Sequence, residues 1–310
     1  MLGGGPAAAT LEVAIYEAVR FQLDFARAGT LSLVQLALCG AFLLLLPQGM
    51  SWVGRGYRLS FLPYPKRPWV SITAVMIIIV TLAFLLPPLF MVIWRGIDIA
   101  FIDWLFEPIF YQSLGFSLGL AFCSALGNIA CSVILIRAMQ HSKAATLWLN
   151  LTGNLFLVIP TVVFGTGVFL LIRHLDYPVF TAPMIVLVAN ILFTLPFSLR
   201  LLAPPMLYHH HVWHRHYSAL GLVGIKRLWW GDLRAHRQEI GFAASLSAAF
   251  SLGEFGTIAL FHNEEFTTLP WLLYSVQGRY QADSAAALAL WLLILVFGIF
   301  WLGSRKTQYV

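Results

Sequence analysis

The chain has 310 residues, of which 60% are hydrophobic and only 10% charged, with a formal net charge of +6 and a mean hydropathy of +0.82. Such a composition excludes a soluble globular domain and a disordered chain, and it indicates an integral membrane protein. The apolar runs are continuous rather than alternating, so helices are expected and not a barrel, because lipid forces every backbone group to be satisfied internally.

In chain order, an acidic segment with Glu12, Glu17 and Asp24 precedes the first run free of Asp, Glu, Lys and Arg, at 28–54. Further such runs cover 68–94, 108–136, 144–172, 177–199 and 284–304. Each is long enough to cross a hydrocarbon core of about 30 Å as a helix. A run starting at Ile240 meets Glu254 and continues to Phe261, which makes a seventh expected span. Pro87-Pro88, Pro160 with Gly165 and Gly167, and Pro196 are expected to kink or interrupt their helices. Gly115 and Gly119, one turn apart, would let a neighbouring helix approach closely. Trp69, Trp94, Trp104, Trp271 and Trp301 read as interfacial anchors.

Alternate loops differ in charge. One set holds Arg55, Arg58, Lys66 and Arg67, then Arg137 and Lys143, then the stretch from Arg200 to Arg237, then Arg305 and Lys306. By the positive-inside rule this set is cytoplasmic. The other set holds Glu12, Glu17 and Asp24, then Asp98, Asp103 and Glu107, then Asp176, then Glu264, Glu265 and Asp283, and faces outward. Seven spans then put the amino terminus outside without a positively charged leader and cleavage site, so further sequence is expected upstream. A weak internal repeat points the same way. Thr10-Leu11, Tyr16, Asp24 and Ala28 ahead of one apolar run resemble Thr268-Leu269, Tyr274, Asp283 and Ala287 ahead of another.

The most highly charged of these loops is 204–239, with His209, His210, His211, His214, His216, Arg215, Lys226, Arg227, Arg234, His236 and Arg237. Ala219-Leu220-Gly221 with Gly224 and the amphipathic 225–233 reads as two short helices around a tight glycine turn. A folded basic loop on one side of a membrane is suited to a soluble partner. The five histidines at 209–216 admit a metal reading, but no cysteine or carboxylate is placed close enough to complete a site, and solubilising residues are the preferred reading. Cys39, Cys123 and Cys131 lie in apolar runs and are read as buried thiols without a redox role.

These residues carry a resemblance. Ala219-Leu220-Gly221 with Gly224, followed by Ser251-Leu252-Gly253-Glu254-Phe255-Gly256, resembles the inner-membrane permeases of binding-protein-dependent ABC importers. Gly3-Gly4-Gly5-Pro6, 10–16, 258–261 and 267–274 are similar to the carboxyl-terminal part of thiamine transporter permeases. The family loop runs Glu-Ala-Ala, three residues, Gly, nine residues, Ile-x-Leu-Pro. Gly221 and Leu233 match it, whereas Arg215, His216 and Tyr217 stand at the Glu-Ala-Ala positions, with Gly231 and Arg234 at the isoleucine and proline.

The resemblance implies an all-α bundle of about seven transmembrane helices. Residues 1–50 would be the tail of an upstream permease half, 51–67 a cytoplasmic linker, 68–304 a complete six-helix domain with its coupling loop at 204–239, and 305–310 a cytoplasmic tail. Tyr217, Ser218, Ala219, Leu220, Gly221, Gly224, Ile225 and Leu233 would form the elbow that docks on an ABC ATPase subunit. Gly253, Glu254, Phe255, Gly256, Trp271 and Tyr274 are gate or pathway candidates. The expected role is translocation of thiamine or its phosphate esters, delivered by a periplasmic solute-binding protein, across the bacterial inner membrane, together with an upstream permease half or a second permease copy. No cofactor, metal or nucleic acid is expected on this chain. It contains no Gly-x-x-x-x-Gly-Lys-Ser/Thr, so ATP is expected to be used by the partner and the chain is not itself an enzyme.

Several alternatives stay open. A related permease could carry ferric iron, molybdate or a polyamine. An ion-coupled transporter would need a relay of intramembrane acids or histidines, where only Glu254 is available. A membrane-embedded enzyme would need clustered catalytic groups. Glu254 could attract the cationic thiamine, but a gating or packing role shared with permeases for other solutes is preferred. Trp271 and Tyr274 could form an aromatic cage for a cationic ring.

Overall fold

A computed structural model describes residues 9–45, 68–142, 159–172, 181–222, 224–263 and 265–304. The expected linker at 51–67, the tail at 305–310, Gly3 to Pro6, the first part of the run at 144–172 (144–158), and Lys143, Asp176 and Glu264 lie outside these residues.

The elements are α1 (Leu11–Arg20), α2 (Phe25–Leu45), α3 (Pro68–Gly96), α4 (Ile99–Asp103), α5 (Pro108–His141), α6 (Thr161–Ile172), α7 (Thr181–Ala219), α8 (Gly224–Arg227), α9 (Arg237–Gly253), α10 (Gly256–Phe261), α11 (Leu269–Gly278) and α12 (Ala282–Ser304). A π-helical stretch, Leu228–Leu233, joins α8 towards α9. All regular structure among the described residues is helical, as a multi-pass membrane protein requires. Ile72–Gly96, Pro108–Gln140, Ala182–Ala219 and Ala282–Gly303 are each long and apolar enough to cross a membrane.

The structure corrects five expectations. The span expected at 240–261 is not one helix: α9 stops at Gly253 and α10 restarts at Gly256, with Glu254 extended between them. The loop expected to begin at Pro204 is instead helical to Ala219, so its first short helix is the end of α7. With 39 residues, α7 is about 58 Å long at 1.5 Å per residue, nearly twice a bilayer core. Its second half therefore projects from the membrane and carries the histidines. The helix also runs unbroken through Pro196, as α3 does through Pro87 and Pro88. Finally, the space beside Gly115 and Gly119 is open, so among the described residues no neighbouring helix approaches at either. Trp94 and Trp301 are exposed near helix ends as anchors should be. Trp104 instead turns inward and donates its indole N–H to Ser284 O at 3.2 Å.

The bundle is centred on α5, α7 and α9. Leu120 shares a cluster with Val186, Asn128 bonds Thr194, and Ile136 shares a cluster with Leu202, so α5 and α7 run parallel in constant register. Thr194 meets Ser247 and Asn190 meets Ser251, which makes α9 antiparallel to both. α12 packs on α9 and α11, α3 leans on α12, and α1, α2, α6 and α10 form a group at one side.

The two segments of the weak repeat adopt the same shape. Each is a helix of 10 residues after a threonine N-cap, Thr10 or Thr268. Each continues through a turn containing a non-glycine residue at positive φ, Leu23 at 52° or Tyr280 at 60°. Each leads into a long apolar helix whose Ala28 or Ala287 is fully buried.

Candidate functional site: a basic elbow and a broken helix

The elbow begins where α7 ends. Leu222 N–H donates to Tyr217 O at 2.9 Å and Gly221 N–H donates to Ser218 O at 3.1 Å. This is the bond pair of a Schellman cap, which places Gly221 at the position that must be left-handed. Its φ is +68°, and Gly224 at +60° completes the reversal. An L side chain there would cost about 1–2 kcal/mol, so glycine is a steric requirement at Gly221.

The returning segment packs back on α7. Arg227 is buried and donates through its two terminal nitrogens to His214 Nδ1 at 2.8 Å and His210 Nδ1 at 2.7 Å. Arginine can only donate, so both imidazoles must present an unprotonated Nδ1. The guanidinium also lies 5.6 Å from the centre of the Tyr217 ring. That ring fits against Gly231, where a Cβ would come within 3.2 Å.

The wider π turn directs Asp232 inward, leaving it 2% exposed. Its Oδ2 accepts from Arg137 at 2.9 Å, and its Oδ1 lies 3.7 Å from His209 Nδ1 and 4.0 Å from Arg227 Nε. His236 meets the His209 ring edge-on with centroids 5.0 Å apart. One carboxylate thus ties the elbow to α5 and α7 together. The expectation that no carboxylate stands near the histidines is corrected by Asp232, and His209, His210 and His214 are structural partners rather than solvated bystanders. Among the described residues no set of three ligand side chains converges for a metal.

Of the elbow residues read from the sequence, Tyr217, Ser218, Ala219 and Gly221 build the cap. Ser218 Oγ donates to His214 O at 2.9 Å. Leu233 packs inward against the cluster containing Leu202 and Met206. Leu220 and Ile225 remain 73% and 83% exposed, so they form the free tip.

The gate candidates gather elsewhere, around the break between α9 and α10. Glu254 Oε1 accepts from Thr257 N–H at 2.9 Å and so supplies a cap to α10. A Cβ on Gly256 would collide with Thr161 Oγ1 of α6, so this glycine is needed for close approach, while the space beside Gly253 is open. Phe255 stacks on Trp271 at 6.0 Å and packs on Tyr274 at 4.9 Å, and Trp271 and Tyr274 are 5.5 Å apart. Trp271 is therefore part of an inner aromatic group and not a lipid-facing anchor. These rings fill the space among themselves, which leaves no open cage between them. His262 lies against Trp271 with centroids 3.5 Å apart. Its Nε2 accepts from Arg20 at 3.2 Å. Burial, and then the Arg20 charge, pull the His262 imidazole down to about 4.

A buried polar seam, absent from the sequence reading, joins α5, α7 and α9 and leads towards the break. Asn128 Nδ2 donates to Thr194 Oγ1 at 2.7 Å, and Thr194 donates to Asn190 O at 2.6 Å. With that proton committed, Ser247 is the donor in its 3.0 Å contact with Thr194. Asn190 Nδ2 donates to Ser251 Oγ at 2.7 Å, three residues before Glu254. The spacing 190, 194, 198 on α7 and 124, 128, 132 on α5 was the available signal for it.

A helical, multi-pass membrane protein with a capped basic elbow at one end and a broken span within the bundle has the features of a transport permease. No family model matches the chain. It is homologous to curated proteins named thiamine transport system permease protein ThiP: 36% identical to that of Brucella suis biovar 1 over 98% of this chain, and 33% identical to that of Escherichia coli K12 over 96%. The protein of that name from Salmonella typhimurium is 32% identical over 96% of the chain. The chain spans about 57% of the length of these relatives. The resemblance read from the sequence is thereby borne out.

Proposed function

We propose that the chain is the membrane-embedded permease part of an ATP-driven importer carrying thiamine or its phosphate esters. The observation that carries this reading is the similarity to the thiamine transport permeases over nearly the whole chain. A periplasmic binding protein would deliver the solute, and a cytoplasmic ABC ATPase would dock on the elbow. A further permease half, or a second permease copy, would supply the other wall of the pathway.

The elbow suits the coupling role because it is rigid where it meets the bundle and apolar at its tip. Leu220 and Ile225 would enter a groove on the ATPase, and the Gly221 cap fixes the angle between them. Movement of the tip would pass through Asp232 to Arg137 on α5 and through α9 to the break at Glu254. An interrupted helix can pivot at its break without losing backbone bonds along either piece. Phe255, Trp271 and Tyr274 would then part or close as the access of the solute alternates. Glu254 serves this scheme as the cap that holds the pivot, which places its role in gating and not in choice of solute.

Co-purification tests the partner. Wild-type chain should retain the ATPase, and Ile225→Asp should lose most of it while remaining in the membrane. Equal retention by both would remove the tip from the docking surface.

A further inference from the structure

The side of the elbow that faces away from Asp232 has a different chemistry from its tip. Along the segment from Gly224 to Arg237 the exposed residues include Lys226, Trp229, Trp230, Arg234 and Arg237, and the one acid in this stretch, Asp232, is buried. Trp229 and Trp230 are 66% and 60% exposed, large apolar areas to leave in water. With Leu233 and Arg234 they line a shallow cavity of about 230 Å³. The Arg234 guanidinium stands 5.7 Å from the centre of the Trp230 ring, which orders the charge beside the cavity.

The position of this face favours one kind of occupant. Arg234 precedes Ile240, where the apolar part of α9 begins, by six residues, about 9 Å along a helix. That is the depth of a lipid headgroup layer, where tryptophan is enriched and lysine and arginine meet anionic lipid. Indole N–H groups and a guanidinium are donors only, and they match phosphate oxygens. The indole faces offer a surface to the glycerol and upper acyl carbons of the same molecule.

We propose that Trp229, Trp230 and Arg234, flanked by Lys226 and Arg237, bind the headgroup of an anionic phospholipid and hold the elbow to the membrane surface. The site is distinct from the tip at Leu220 and Ile225, and it does not depend on the solute carried.

Native mass spectrometry of the full chain, released from micelles with equal phosphatidylglycerol and phosphatidylcholine, tests the proposal. Wild type should retain phosphatidylglycerol with about tenfold preference. Arg234→Gln should cut that retention by about fivefold, the effect of one cation near an anionic surface. Trp229→Ala with Trp230→Ala should reduce it further, and Arg234→Lys should restore most of it. Short-chain phosphatidylglycerol should compete, whereas inorganic phosphate at the same concentration should not. Arg234 is exposed, so its variant keeps the fold and remains informative if the double tryptophan variant does not. Unchanged retention in Arg234→Gln, or complete displacement by inorganic phosphate, would overturn the lipid site. So would an Arg234→Gln protein that keeps its phosphatidylglycerol but loses a co-expressed ATPase, because the face would then belong to a soluble protein.

Discussion

Asp232 is the residue on which the elbow turns. It is buried between Arg137 and Arg227 and neutralises charge contributed by α5 and α8. Removing one member of a buried ion cluster costs about 3–5 kcal/mol, and Arg137 is partly open to solvent, so the lower end applies. Asp232→Asn should therefore lower the thermal midpoint in detergent by several degrees, whereas Glu239→Gln should barely move it. At Gly221 the penalty is conformational. Gly221→Val should speed hydrogen exchange at the Leu222 amide about tenfold or more, following the 1–2 kcal/mol cost of an L residue there. His262 makes a pH prediction. Its folded pKa, about 4, is below the unfolded value near 6.5, so the unfolded chain binds the extra proton between them. Stability should be full above about pH 6.5 and fall as pH drops towards 4, and His262→Gln should flatten melting curves over that window.

At the scale of elements, the polar seam binds α5, α7 and α9 in a place where the hydrophobic effect gives little grip. Interhelical hydrogen bonds in membranes are worth about 0.6 kcal/mol on average and up to about 1.7. Asn128→Val should lower unfolding stability by about 1 kcal/mol, and Asn190→Leu with Ser251→Ala should let α9 separate from α7, seen as increased cross-linker reach between them. The long apolar helices at 68–96, 108–141, 181–219 and 282–304 were legible from the sequence because membrane spans advertise themselves by length and apolarity. The seam was not weighed, since a few Asn, Ser and Thr leave an apolar run intact, although their four-residue spacing was present. The extension of α7 was missed because Pro196 was read as a kink or interruption and the loop was taken to begin at Pro204, whereas a helix with packed neighbours tolerates these prolines. Gly221 was legible as a turn residue. The role of Asp232 was not, because its ion-pair partner Arg137 lies 95 residues earlier in the chain.

At the scale of the molecule, the elbow stands at one end of the bundle, and the seam leads along α7 and α9 to within three residues of the break. Residues 11–24 and 269–283 take matching shapes, and the chain spans about 57% of the length of its relatives. Under the proposed function, motion at the elbow drives thiamine through the bundle. The most direct test is ATP-driven uptake of labelled thiamine in vesicles that hold the chain, its companion half, the ATPase and the binding protein. Wild type should accumulate thiamine only with ATP, and Gly221→Val should retain ATP hydrolysis while uptake falls at least tenfold. Uptake by Gly221→Val equal to wild type, with the ATPase bound and active, would contradict the account.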